Sequence, residues 1–326
     1  MPLASVIGHR QTTDLLRHAV AHRRVPQSLL LAGPEGVGKR TTALALAQAV
    51  NCPNSKDGDA CGTCATCQRI LRGQHADVVV LDSGEKASIG IDALRDRVLD
   101  AVGYRPFEAA RRVFIIDGAD AMTAPTQDAL LKTLEEPPTT TILVLVTAYP
   151  DTLLATVQSR CRRLRFGPLG DADVARVLVE RCGVDRVAAR TLAATSGGSV
   201  GSALASEKGH AEADREAAVG LLASAAREAP AGRLRASDRL VKHGSKRRDR
   251  DALGARLAII AALLRDLAAT HAGAGGVDLD PGVAAVRGAY DIRRATAGFL
   301  ALADAQVWLE RNAGPKIVAD WVALTL

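Results

Sequence analysis

Aromatic side chains make up only 3% of the 326 residues, methionine occurs twice, and no apolar run approaches the length of a bilayer span. The scarcity of aromatics argues against a single-strand nucleic-acid binder built on stacked bases. The lack of a long apolar run argues against a membrane partner. The chain does not open on the basic-then-apolar pattern of a secretory signal, so a reducing, cytoplasmic setting is expected. There is no internal repeat, and none of the seven histidines stands at ligand spacing from the cysteines. What is present is ordinary for a soluble protein: 48% hydrophobic and 24% charged residues, in a chain long enough for two or three domains with real cores. A net charge of +6 favours DNA-binding or proximity to nucleic acid, although the excess is spread along the chain.

Four of the six cysteines stand out. Cys52, Cys61, Cys64 and Cys67 follow the spacing C-x8-C-x2-C-x2-C. The tight triplet brings three thiolates together over a short turn and Cys52 returns as the fourth, a donor set suited to tetrahedral zinc. Two disulfides or a redox Cys-x-x-Cys pair are the other readings of the same spacing. Nothing beside the cluster would activate a water, and four sulfurs fill a metal's coordination shell, so the expected metal is structural Zn2+.

The cysteines follow a phosphate-loop sequence, Gly33-Pro34-Glu35-Gly36-Val37-Gly38-Lys39. It sits between a strand-like run, Ser28-Leu29-Leu30-Leu31-Ala32, and a helical pattern from Arg40 to Val50. In that context the amides of Gly36, Val37, Gly38 and Lys39 can cradle a polyphosphate such as ATP or ADP, with Lys39 reaching its terminal oxygens. A glycine turn without a ligand is the alternative. The position after the lysine, where a Ser or Thr hydroxyl would meet magnesium, is Arg40; Thr41 comes one place late. The apolar run Phe114-Ile115-Ile116 delivers Asp117 to the sheet edge, where a magnesium-bridging carboxylate would sit. A second carboxylate to orient water is missing, because the next residue is Gly118 and Asp120 lies too far along. Asp117 is therefore either a metal ligand or a strand-terminal cap.

Further strand-like runs at Asp77 to Leu81, Arg112 to Asp117 and Thr141 to Val146 alternate with amphipathic helices up to Phe166. The pattern predicts an α/β domain with a parallel sheet covered on both faces. Gly167-Pro168 breaks the chain, a helical segment runs from about Asp171 to Leu204, and Ala, Leu and Arg then recur at helical spacing to the end. The Gly244-Ser245 turn, the basic run 242–248 and the stretch 271–276 read as interhelical loops.

The phosphate loop, the four-cysteine insert, Asp117-Gly118-Ala119-Asp120-Ala121-Met122, Gln127, the run Ala129-Leu130-Leu131-Lys132-Thr133-Leu134-Glu135-Glu136-Pro137-Pro138, and Ser159-Arg160-Cys161 follow in an order that resembles the bacterial AAA+ clamp-loader subunits of DNA polymerase III. Near the end, Glu310-Arg311-Asn312-Ala313-Gly314-Pro315-Lys316 resembles the Asn-x-Asn-Pro turn of that family's collar domain, with Gly314 in place of the second Asn. The resemblance implies an AAA+ domain over 1–167, a small helical lid over 168–208 and an all-α collar over 209–326. It implies a nucleotide site in which Ile7 and Gly8 of the N-terminal segment lie near the adenine. It also implies that Arg160 projects into the ATP site of a neighbouring subunit as an arginine finger. The family divides into gamma and tau motors, which hydrolyse ATP, and delta prime, a stator. Arg40, Gly118 and a glycine, Gly201, where a motor's lid helix carries arginine all point to the stator branch. The implied partners are gamma/tau and delta subunits in a hetero-pentamer, with primed DNA and the sliding clamp met through the assembly. An active gamma/tau-type motor is the alternative kept open by Lys39 and Asp117. A small-molecule phosphotransferase would leave the cysteines and the helical C-terminal third unexplained.

Overall fold

The computed structural model describes residues 1–84, 86, 88–205, 211–241, 246–273, 279–310 and 313–326. Of the basic run 242–248, expected as an interhelical loop, 242–245 with the Gly244-Ser245 turn lie outside the described residues, whereas 246–248 are not loop but the first turn of the helix Lys246–His271. Arg311 and Asn312 of the expected collar turn also lie outside the described residues. So do 274–276 of the stretch 271–276.

The chain divides into two compact units. In the first, five parallel strands form one sheet: β1 (Ser28–Ala32), β2 (Val78–Leu81), β3 (Arg112–Asp117), β4 (Thr141–Thr147) and β5 (Arg162–Arg165), in the order β2-β3-β4-β1-β5. Successive side chains on a strand point to opposite faces, and both faces of this sheet are covered. Leu29, Leu31, Val113, Ile115, Ile142 and Val144 pack with Ala43, Leu46 and Ala47 of the helix Lys39–Asn51. Leu30, Phe114, Ile116, Leu143 and Leu145 pack with Leu130 and Leu134 of the helix Ala124–Glu135 on the other side. This is why β1 and β4 read as unbroken apolar runs instead of alternating ones. The sequence pattern did not disclose β5. Only Leu164 of its Arg162-Arg163-Leu164-Arg165 is buried, and such a charged edge strand is protected from pairing with other chains.

The helices Asp171–Cys182 and Arg186–Thr195, and the helix Val200–Ala205 up to Leu204, belong to the same compact unit. Val174, Leu178, Ala189, Ala193 and Ala203 form their own small core. Asp185 caps the second of these helices by accepting from the amides of Val187 and Ala188.

The second unit, from Ala205 to Leu326, is helical throughout its described elements. The helices Ala211–Arg227, Lys246–His271, Ile292–Glu310 and Pro315–Thr325 share a core that includes Leu221, Leu257, Ile260, Leu264, Leu302, Val318 and Val322. Two arginines organise it. Buried Arg256 pairs with Asp214 (2.7 Å from Nε) and donates from Nη1 to the carbonyls of Arg239 and Leu240. Arg294 donates to the carbonyls of Leu326, Ala289 and Ala225, and its guanidinium lies 4.6 Å from the Tyr290 ring centre. Trp308 and Trp321 meet edge to face at 4.4 Å. Among the described residues no helix is long and apolar enough to cross a membrane.

One buried charge pins the entry to β3. Asp77, fully buried, accepts from the amides of Phe107, Glu108 and Ala109 and pairs with Arg112, whose Nη1 also donates to the Ala101 carbonyl. Burial alone would push its carboxyl up, but these donors outweigh that and hold it below the usual carboxylate range. A depressed carboxylate stabilises the fold above its unfolded-state value and loses that contribution as pH falls through the folded one. Asp77→Ala should cost ~3–5 kcal/mol, because three amides lose their acceptor and the part-buried Arg112 guanidinium loses its carboxylate. Urea denaturation at neutral pH checks this, and the gap between variant and wild type should shrink when the titration is repeated in acid.

Candidate functional site

Parallel strands bring their C-terminal ends to one edge, and the phosphate loop, Asp82, Asp117 and Thr147 all lie there. The loop leaves β1 at Gly33 and enters the helix Lys39–Asn51 through Gly38, which caps it in the left-handed region at φ 103°. Val37 is buried and its carbonyl meets His9 Nε2 at 2.9 Å; the His9 ring in turn packs edge to face on Phe166. Ile7 is half-buried and Gly8 exposed, immediately before this histidine. The N-terminal segment and the loop are thus joined through His9, which the sequence placed in the segment Val6-Ile7-Gly8-His9 without a role of its own. A cleft of about 490 Å³ opens beside Gly8 and His9, and Arg165, Asp173 and Arg176 also line it.

The Lys39 side chain is buried and turns back into the loop, donating from Nζ to the Gly33 carbonyl (2.6 Å) and the Pro34 carbonyl (2.5 Å). Burial lowers its ammonium from the ordinary value, against Glu35, Asp120 and Asp117, which pull the other way. Thr42 Oγ1 is spent on the Gly38 carbonyl, and Thr41 is half-buried one step further round the helix.

Arg40 decides the chemistry of this edge. Its Nη1 donates to Asp117 Oδ2 at 3.0 Å and stands 3.5 Å from Asp82 Oδ2. Asp82, just past β2, is a partner that sequence reasoning missed. Asp120 is held elsewhere, accepting from Thr147 Oγ1 and the Ala148 amide. The residues present do not fit magnesium: the hydroxyl is replaced by a cation, and that cation already sits on the strand-end carboxylate.

The helix Val200–Ala205 closes against the loop through backbone. The amides of Val200 and Gly201 donate to the Gly36 carbonyl (3.1 and 3.4 Å). Gly36 lies at φ 70°, and a Cβ there would fall 2.3 Å from Ser199 Oγ and 2.7 Å from the Gly201 nitrogen. A Cβ on Gly201 would fall 3.1 Å from the Gly36 Cα. The close approach leaves little room for a long side chain at 201.

Arg160 ends the helix Ala155–Ser159 on the surface. Its Nη2 meets Glu135 Oε1 at 2.7 Å and its Nη1 donates to the Thr156 carbonyl at 2.9 Å. The guanidinium is partly exposed and rests on a carboxylate of its own chain. Neighbouring Cys161 points inward, its thiol pushed up to about 12 by burial.

The four cysteines converge where the helix Lys39–Asn51 ends, with Cys64 capping the helix Ala65–Leu71 and Cys67 inside it. All four Sγ atoms lie within 4.8 Å of one another, Cys52 being 3.5 Å from Cys61 and 3.9 Å from Cys64. A tetrahedral thiolate centre with bonds of ~2.3 Å has sulfurs ~3.8 Å apart, so the cluster can hold a metal ion. The Cys64 and Thr63 amides lower the Cys61 thiol to about 6, whereas burial raises those of Cys52 and Cys67. Beside the cluster, Asp59 accepts from the amides of Leu3, Ala4 and Ala60, tying the chain's first turn to the cysteine module.

A phosphate loop at the head of a strand, a carboxylate at the end of the strand two places away and a five-stranded parallel sheet define a P-loop, AAA+-like domain. Residues 8–170, half of the chain, match the DNA polymerase III, delta subunit family, and the chain belongs to it. It is 35% identical over 161 residues to the DNA polymerase III subunit tau of Bacillus subtilis, covering 49% of this chain and 28% of that one. It is 32% identical over 166 residues to subunit tau of Escherichia coli, covering 51% and 25%. The chain thus spans about a quarter of the length of these relatives. A gamma subunit-related protein of Thermotoga maritima aligns over 95% of this chain and 97% of its own, at 17% identity and a TM-score of 0.43.

Chain purified without chelator should carry one metal ion, measured by plasma mass spectrometry, and Cys61→Ser with Cys64→Ser should remove it and lower Tm. A metal-free wild type that melts at the same temperature after metal addition would strike out the centre.

Proposed function

We propose that the chain is the delta prime subunit of a bacterial DNA polymerase III clamp loader. In this role it is a stator that splits no ATP of its own and supplies Arg160 in trans to a neighbouring gamma/tau subunit. The observation that carries the reading is Arg40 seated on Asp117, in the place where a motor holds magnesium. Gly118 where a water-orienting carboxylate belongs, and Gly201 backed against the loop, support it.

The arginine finger acts by charge. A guanidinium against a neighbour's γ-phosphate offsets the negative charge that builds as the phosphoryl group transfers, an effect of ~10³–10⁵ in rate where such fingers operate. In the free chain Glu135 keeps the guanidinium in position. With side chains 34% and 51% exposed, that ion pair is worth only ~0–1 kcal/mol. A triphosphate presented by a neighbour therefore displaces it at little cost.

The AAA+ domain (1–167), lid (168–208) and collar (209–326) would place the chain in a hetero-pentamer with gamma/tau and delta in the cytoplasm. Primed DNA and the sliding clamp are met through that assembly. Zinc on Cys52, Cys61, Cys64 and Cys67 serves structure, and ATP or ADP is the ligand of the phosphate loop. A gamma/tau-type motor is the second reading, favoured by the intact Lys39 and Asp117 and by the tau relatives.

In a reconstituted clamp loader, Arg160→Ala should depress DNA-stimulated ATP turnover while the purified chain alone turns over none. Unchanged turnover in the complex would refute the finger, and steady hydrolysis by the isolated chain would favour the motor.

A further inference from the structure

We propose that this chain takes a nucleoside triphosphate stripped of its divalent cation, with the Arg40 guanidinium standing where the metal would be. The proposal rests on the reading that the phosphate loop accepts a nucleotide, and it adds the ionic form in which that nucleotide binds.

In a magnesium-assisted loop, the hydroxyl after the lysine and the strand-end carboxylate hold the ion against the phosphates. Here Arg40 follows the lysine, and its Nη1 lies between Asp117 (3.0 Å) and Asp82 (3.5 Å). Magnesium demands near-octahedral oxygen ligands at ~2.0–2.1 Å. To bind at Asp117 it would have to displace a guanidinium tethered to the first turn of the same helix and then remain beside it, like charge against like. No hydroxyl compensates, because Thr41 and Thr42 lie one and two residues beyond Arg40, turned round the helix from the position that follows the lysine.

A guanidinium, in contrast, needs no room for a hydration shell. It carries five N–H donors in a planar fork matched to phosphate oxygens. Bridging the two carboxylates through Nη1 leaves the fork able to face a phosphate as well. Arg40 therefore offsets the edge carboxylates, which would otherwise repel the phosphates, and leaves Lys39 and the loop amides to hold a tri-anionic or tetra-anionic chain. It cannot act as a Lewis acid on the γ-phosphate, so the bound triphosphate is retained intact.

The test is titration calorimetry of the full-length chain with ATP, once in excess EDTA and once in excess magnesium. Wild type should bind at least as tightly in EDTA as in magnesium. Arg40→Thr should reverse the order, binding more tightly in magnesium by about tenfold or more, whereas Arg40→Lys, which keeps a cation at the position, should keep the wild-type order. Wild-type binding that appears only with magnesium overturns the proposal and leaves the nucleotide reading standing. The proposal is likewise overturned if Arg40→Thr keeps the wild-type order. Absence of binding in both conditions, with Lys39→Ala indistinguishable from wild type, overturns the nucleotide reading and this proposal together.

Discussion

The parallel sheet gathers negative charge at one edge. The end of β3 brings Asp117, the residue after β2 is Asp82, and both face the mouth of the phosphate loop. Carboxylates so placed need a cation, and the chain supplies one from the first turn of the loop's own helix. Once Arg40 fills that need, neither a hydroxyl after the lysine nor a carboxylate after Asp117 has an ion to serve. Arg40 thus stands where a hydroxyl would meet magnesium and Gly118 where a carboxylate would orient water, while Gly201 is packed against the backbone of Gly36.

Much of the fold was legible because burial on both faces of a parallel sheet writes itself as apolar runs. The central strands β1, β3 and β4 lie where those runs predicted, to within a residue. The edge strand β5 escaped notice for the same reason in reverse: one inward residue among three arginines makes no pattern. The helical character of the C-terminal third was equally plain, since Ala- and Leu-rich spacing needs no distant partner to declare itself. The buried Arg256–Asp214 pair that helps to hold those helices together gave no such signal, because its members lie 42 positions apart.

The site divides along the same line. The four cysteines are close in sequence, and their convergence followed from spacing alone. The phosphate loop announced itself through glycine and lysine, and Arg40 was visible as an anomaly. What could not be read was where Arg40 points, since Asp82 and Asp117 reach it from two different strands. Likewise His9, Glu135 and Asp59 each act on a residue well removed along the chain, the loop carbonyl of Val37, the Arg160 guanidinium and the amides of Leu3 and Ala4. Chain proximity reveals residue type and local geometry; it does not reveal which charge meets which.

The seam between Gly36 and Gly201 also bears on how the helix Val200–Ala205 and the loop are coupled. Its two hydrogen bonds join main chain to main chain, so the coupling contains no rotamer that can yield under load. A displacement of the helix Val200–Ala205 is delivered directly to the loop at Gly36. A joint made from side chains would absorb part of that movement as slack; these two hydrogen bonds contain no side chain to do so.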